Sequence, residues 1–380
     1  MNGRERSSLR AEEIAFNFNA HLPISYQKEI FEERLNFERE VLSPRKLERR
    51  RILIFGGAGY IGSVLSAHLL SRGYKVRVSD GLYFNNGITV LPYLDNPDFE
   101  FLYGDITDES HIDEALNDST DVVILAGLVG DPITKMYPSE SSQINDGGVL
   151  KLLERCSNRG LSRVIFVSTC SNYGLTPGNI RADEDYELNP LSLYAKSKVA
   201  AERHLMSSKG FADYSATILR FATAFGLSSR MRFDLTVSEF TRAMYRGDDL
   251  LVYDADTWRP YCHVKDFAEV IRRVLEAPLE RVSFQVFNAG GDENNATKQT
   301  IVDIIKSLVP EAPVRYQEHG TDPRNYRVDF DRIREAIYFE PSITIQDGVV
   351  ELLDALRQGL FKTIDQPPSF YGNWSLPTAD

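Results

Sequence analysis

The chain has 380 residues, of which 42% are hydrophobic and 26% charged, which allows a large buried core and length enough for two lobes. A formal net charge of -12 argues against a protein whose main task is gripping nucleic acid. The 3 cysteines, Cys156, Cys170 and Cys262, make no CxxC pattern and read as reduced thiols; with no apolar run long enough for a membrane and no signal-peptide core, the expected location is the cytoplasm.

Residues 1–50 stand apart from the rest. The stretch Tyr26 to Leu42 is rich in helix formers and sets Ile30, Phe31, Leu35 and Leu42 near one face. It reads as an arm that packs on its own body or on a second subunit, in preference to a lid. The basic run Arg45 to Arg51 reads as solvated charge. From Arg51 the texture changes. RILIF is a short apolar strand running into glycines, followed by a helix over Ser63 to Arg72 and a strand, KVRVSD, that ends at Asp80. A third strand ends at Gly104-Asp105-Ile106. Further strands are DVVILAG (121–127), RVIFVST (163–169) and YSATILRF (214–221), with helices over Gly148 to Arg159 and Leu193 to Ser208 between them. Strands alternating with helices predict an α/β fold: a doubly wound parallel sheet whose ligand edge lies at the strands' carboxyl ends. Past Gly226 the pattern loosens. Arg230 to Arg246 and Thr297 to Val309 look helical, with the short strands LLVY and QVFN between them. These segments are expected to build a smaller, interleaved C-terminal lobe. The organisation expected is an arm (1–50), a dinucleotide-binding domain (51–226) and a mainly substrate-binding lobe (227–380), with 258–275 returning to the first domain.

Glycines at Gly56, Gly59 and Gly62 lie where a strand turns into a helix. A side chain there would block the approach of backbone to a pyrophosphate, and the helix start offers free N–H groups and a positive dipole end. Asp80, closing the next strand, suits the two ribose hydroxyls of an adenosine and repels a 2′-phosphate, which favours NAD over NADP. Asp105 is placed to meet an adenine amino group with Ile106 against the ring, although an ordinary turn aspartate reads the same way. Tyr194 and Lys198 stand at i and i+4 and share one helix face. A free tyrosine is a poor base near neutrality. A neighbouring ammonium and a cationic nicotinamide both favour the phenolate, which makes the pair a usable base. The strand end before it supplies hydroxyls at Ser168, Thr169 and Ser171.

GGAGYIG, Asp80, GDI, LAG, STCSNYG, YAKSK, LRFATAFG and RPYCHVKD occur in that order over about residues 51 to 340. Together they resemble the extended short-chain dehydrogenase/reductase family, in particular its NAD-dependent sugar-nucleotide epimerase and dehydratase branch. The resemblance implies a Rossmann-type fold and a catalytic set of Thr169, Tyr194 and Lys198. It also implies that NAD is held by Gly56, Gly59, Tyr60, Ile61, Gly62, Asp80, Asp105, Ile106, Ala126, Gly127, Tyr194 and Lys198. Thr169, Cys170, Thr223, Arg259 and Arg324 are the implied substrate contacts, the two arginines meeting a diphosphate. For Arg324 a surface salt bridge is an equal reading. His263 reads as a structural histidine, Cys170 packs as a small residue, and no metal-ligand spacing occurs. Asp131-Pro132 either lines the sugar pocket or forms a turn.

The family's dehydratases carry an acidic pair just after the catalytic Thr, and its decarboxylases a Glu nearby; here those positions hold Cys170 and Ser171. That departure favours epimerisation, with C4 as the expected centre, over a ketoreductase, dehydrogenase or dehydratase of the same fold. A non-catalytic dinucleotide-binding scaffold is the reading from another class. Two further departures are Thr223, where the family often has Asn, and SSRMRFDL (228–235), which replaces the usual substrate loop. The expected partners are a nucleotide-sugar substrate and a second copy in a homodimer, with no nucleic acid and no membrane.

Overall fold

The computed structural model describes residues 32–33, 50–361 and 371–376. The chain forms two compact units, 1–47 and 48–380. In the first, Glu32 and Glu33 are helical and exposed; the rest of the expected arm lies outside the described residues. The remaining description concerns the second unit.

Seven strands make the main sheet: β1 (Arg51–Phe55), β2 (Lys75–Asp80), β3 (Phe99–Tyr103), β4 (Asp121–Ile124), β5 (Arg163–Thr169), β6 (Ser215–Phe221) and β7 (Gln285–Ala289). Their order is β7-β6-β5-β4-β1-β2-β3, every neighbouring pair is parallel, and the order reverses beside β1. The ligand crevice of such a sheet opens where the order reverses. The strands are near-continuous apolar runs because both faces are covered. Pleating sends Leu53, Phe55, Val122, Ile124, Val164 and Phe166 to one side, where they form a core with the helices Glu109–Leu116, Val149–Arg155 and Leu193–Ser207. Ile52, Ile54, Val76 and Val78 are equally buried on the other side, where helix Tyr60–Ser71 packs against helix Val264–Glu276.

A second core gathers Phe225, Val237, Phe240, Val252, Tyr261, Ile301, Ile305 and Val349. It lies among helices Thr236–Arg246, Lys298–Leu308 and Ile345–Arg357. Small sheets flank it: Thr223–Phe225 beside Trp258–His263 beside Asn295–Thr297, and Leu250–Tyr253 beside Val314–Gln317.

Two segments depart from the sequence expectation. QVFN was expected in the C-terminal lobe, yet it is the edge strand β7 of the main sheet, paired with β6 from Gln285↔Thr217 to Ala289↔Phe221. The helix expected from Arg230 begins only at Thr236. Residues 230–235 instead bury Arg230, Met231, Arg232 and Phe233 in a non-helical run against the main body. Four consecutive inward side chains do not fit one face of a helix. His263 caps helix Val264–Glu276 by accepting from the Lys265 N–H at Nδ1, and its Nε2 meets Glu351 at 2.9 Å. Glu351 also accepts from the Leu227 N–H, which ties helix Ile345–Arg357 to the turn after strand Thr223–Phe225.

Candidate functional site

The carboxyl ends of β1, β2, β4, β5 and β6 open into a cavity of about 470 Å³. All the residues expected to hold cofactor or substrate line it, with one exception.

The glycine turn forms one end. Gly56 has φ +84, and a Cβ there would come within 2.8 Å of the Ala126 nitrogen. A Cβ on Gly62 would stand 2.2 Å from the Gly56 carbonyl oxygen, so helix Tyr60–Ser71 seats this closely against the turn only with glycine there. That helix starts at Gly59 without any side-chain cap, which leaves the N–H groups of its first turn facing the cavity end. Asp80 accepts from the Ala58 N–H at 3.0 Å and the Leu82 N–H at 2.9 Å. Burial raises its pKa, with those N–H groups pulling the other way. Asp105 accepts from the Thr107 N–H and from the Tyr83 hydroxyl. Ile106, Ala126 and Gly127 line the same end. The bare glycines, the uncapped helix start and the acidic strand end fit a dinucleotide whose pyrophosphate sits on the turn.

At the other end, β5 delivers Thr169, whose hydroxyl oxygen accepts from the Ser171 N–H at 3.1 Å. Ser192 caps helix Leu193–Ser207, which places Tyr194 and Lys198 one turn apart on the cavity side. Lys198 Nζ donates to the Val167 carbonyl at 2.8 Å and lies 5.8 Å from the centre of the Tyr194 ring. Burial pushes the Lys198 ammonium down to about 8. It also raises the Tyr194 hydroxyl, opposed first by Arg232 and then by Arg324. The Lys198 ammonium thus donates to a backbone carbonyl one helical turn from Tyr194, and Arg232 and Arg324 act on the phenol against its burial and against Asp131.

Cys170 is the exception noted above. Its thiol points away from the cavity, donates to the Arg220 carbonyl at 3.1 Å, and is pushed up by burial. The resemblance implied a substrate contact here; Cys170 is instead the inward residue of the turn that follows β5 and packs as a small residue, the other reading of the sequence. Ser171 faces the cavity, 3.2 Å from the Tyr326 hydroxyl and accepting from Arg324 Nη1 at 3.3 Å. Thr223, Arg259 and Arg324 line this end. Arg324 is no surface pair: it bridges Asp131 at 2.9 Å and Asp322 at 2.7 Å inside the cavity wall. Arg259 is 3.2 Å from Asp322 and stacks over Tyr326 at 5.0 Å.

Several lining residues went unnamed in the sequence reading. Arg230, Arg232 and Asp234 come from the atypical 228–235 segment, with Arg232 and Asp234 joined in a two-point ion pair at 3.0 and 2.5 Å. Asn373, near the carboxyl end, donates to the Val129 carbonyl at 2.8 Å and closes the wall there. The one available signal was the departure of SSRMRFDL itself from the usual loop. Behind Thr169 lies a buried polar network. Glu202, one turn beyond Lys198, accepts from Ser168, from Asn172 at 2.8 Å, and from Arg220 at 2.8 Å.

Comparison with known proteins agrees with this geometry. A curated UDP-N-acetyl-alpha-D-glucosaminuronate decarboxylase of Bacillus cytotoxicus is 26% identical over 82% of this chain and 98% of its own length. A UDP-glucose 4-epimerase of Mycolicibacterium smegmatis is 25% identical over 81% of this chain and 98% of its own. The solved UDP-glucose 4-epimerase of Thermus thermophilus, in complex with NAD, superposes with a TM-score of 0.71 at 25% identity, over 81% of this chain and 99% of that one. A family model covers residues 52–290, well over half of the sequence, and with the parallel sheet and glycine turn already in place the chain belongs to the NAD dependent epimerase/dehydratase family.

Proposed function

We propose that this chain is an NAD-dependent epimerase of a nucleotide-diphosphate sugar, acting at C4 through transient oxidation to a keto-sugar and re-reduction. The observation that carries the reading is the state of the carboxylates around Tyr194 and Thr169. Asp131, Asp234 and Asp322 are each joined to a guanidinium. The two residues after Thr169 are a buried thiol and a hydroxyl. Expelling water needs a further acid and base beside the sugar. Epimerisation needs one group that removes a carbinol proton and gives it back.

When bound, NAD supplies an acceptor for the sugar's hydride and returns it. The chain's own groups do the rest. Tyr194 takes the carbinol proton, helped by the positive field of Arg232 and Arg324. Thr169 shares that proton through a hydroxyl oriented by the Ser171 N–H. Lys198, held on the Val167 carbonyl, would hold the nicotinamide ribose. Arg259 and Arg324 meet the diphosphate, which takes over part of the role that Asp322 has in their pairing. The proposal includes a homodimer in the cytoplasm, checked by light scattering and fractionation. Among the described residues no helix is long and apolar enough to cross a membrane.

The test is incubation with a panel of nucleotide sugars, chromatography of the sugar products, and a continuous absorbance trace at the nicotinamide band. Interconversion of C4 epimers with a flat trace is expected. Release of carbon dioxide, a dehydrated keto-deoxy product or stoichiometric reduced cofactor refutes the epimerase reading. Absence of any turnover across the panel favours the scaffold.

A further inference from the structure

Of the guanidinium groups lining the cavity, Arg232, Arg259 and Arg324 each hold a carboxylate. Arg230 holds none among the described residues. It is 4% exposed, its Nε has no partner, and its Nη2 reaches only the Gly372 carbonyl at 3.3 Å. Its guanidinium lies over the Phe84 ring at 4.5 Å, beside the loop that follows β2. Burial and the neighbouring Arg232 push its pKa down to about 9. A buried charge left this way is costly unless an anion meets it.

Its position says which anion. The Arg230 N–H donates to Ser228 Oγ at 3.3 Å. That hydroxyl in turn donates to the Tyr60 carbonyl at 2.8 Å and lies 3.0 Å from Ser63 Oγ. The segment is thereby pinned on the first turn of helix Tyr60–Ser71, the turn whose N–H groups lack a cap. Asp234, the acid that acts on it most, is taken up by Arg232, and Asp80, the next, is occupied by the Ala58 and Leu82 N–H groups; neither forms an ion pair with Arg230 among the described residues. Two independent sources of positive potential, an uncapped helix start and a buried guanidinium with no carboxylate partner among the described residues, thus line one cavity.

We infer that Arg230 is a clamp on the pyrophosphate of the dinucleotide, reaching over the glycine turn from the 228–235 segment. The cofactor is then held from two sides, by backbone of the nucleotide domain and by a fork-shaped cation from a separate stretch of chain. Arg230 here is a binding residue. The inference takes NAD from the family and does not depend on which reaction follows.

The test uses full-length protein stripped of nucleotide, titrated with NAD, ADP-ribose, NADP and adenosine by calorimetry. Arg230→Met is expected to weaken NAD and ADP-ribose alike, by at least about tenfold. Adenosine, which has no pyrophosphate, should bind as before. The nucleotide-free melting temperature should hold or rise, because an uncompensated buried charge has been removed. NAD affinity within about twofold of the parent overturns the proposal. So does a loss confined to NADP, which would mark a 2′-phosphate contact, or an equal loss for adenosine. Should Arg230→Met fail to fold, Arg230→Lys keeps the charge without the fork, and the same comparison across the four ligands decides.

Discussion

Glu202 lies behind the carboxyl end of β5 with a side chain 5% exposed, facing the similarly buried Arg220. Its carboxylate accepts from Arg220 Nε and Nη2, from Asn172 and from Ser168. Replacing it with alanine leaves the Arg220 guanidinium in a dry interior with only the Tyr173 hydroxyl and the Glu184 carbonyl. Breaking a buried pair from one side costs ~3–5 kcal/mol, and each further donor left without an acceptor adds ~1 kcal/mol. A loss of roughly 5 kcal/mol is expected, a large part of the ~5–15 kcal/mol that holds a typical domain. Urea unfolding followed by far-UV circular dichroism reads it as a fall in midpoint. A second arm isolates the cause. Glu202→Gln with Arg220→Met removes both charges, and it should recover most of the stability because no ion is left stranded. A Glu202→Ala loss below about 1 kcal/mol, or a double variant as unstable as the sum of its singles, would refute the reasoning.

Tyr194→Phe removes the proposed proton acceptor and no packing volume of note. Turnover should fall by ~10²–10⁴-fold while calorimetric NAD affinity stays within a few-fold; retention of full turnover would move the chemistry elsewhere. Glu351 is held down at about 2 by the hydrogen bonds of His263 and Lys265, which outweigh its burial. Its folded pKa lies below the ordinary 4.5, so its stabilisation is complete above about pH 4.5 and is lost as pH falls toward 2. Solvent screening at this half-buried site leaves ~1 kcal/mol of stabilisation. Glu351→Gln should therefore lower the melting temperature at pH 7 and flatten its acid limb; an acid limb as steep as the parent's would contradict this.

Much of the frame was legible in the sequence because local signals and tertiary demand agreed there. RVIFVST is apolar along most of its length, and β5 is buried along its whole length. Gly62 marked a contact that no other residue fits. The cavity also unites residues as distant in sequence as Asp80, Thr169, Tyr194 and Arg259. The failures share one origin. Periodicity over 230–246 reports helix propensity, yet Arg230 and Arg232 are drawn inward by the cavity and by Asp234, partners that a one-dimensional pattern does not reveal. Cys170 came with the family resemblance as a substrate contact, but the single helical turn Cys170–Tyr173 directs its thiol to the Arg220 carbonyl. QVFN carried no mark of which sheet would claim it; pairing with β6 was decided by the vacant edge.

Residues 371–373 brace the cavity wall, and Asn373 lines it. The Tyr371 carbonyl takes the Phe233 N–H at 2.7 Å, the Gly372 carbonyl takes Arg230, and Asn373 reaches Val129. Clipping the polypeptide ahead of Tyr371 would thus unseat the loop that carries Arg230 and Arg232 while leaving the parallel sheet intact. If Arg230 acts as inferred, such a shortened protein loses its hold on the dinucleotide, and it also lacks the Tyr371 and Trp374 rings that pack around Phe233, so nucleotide affinity and melting temperature should fall together.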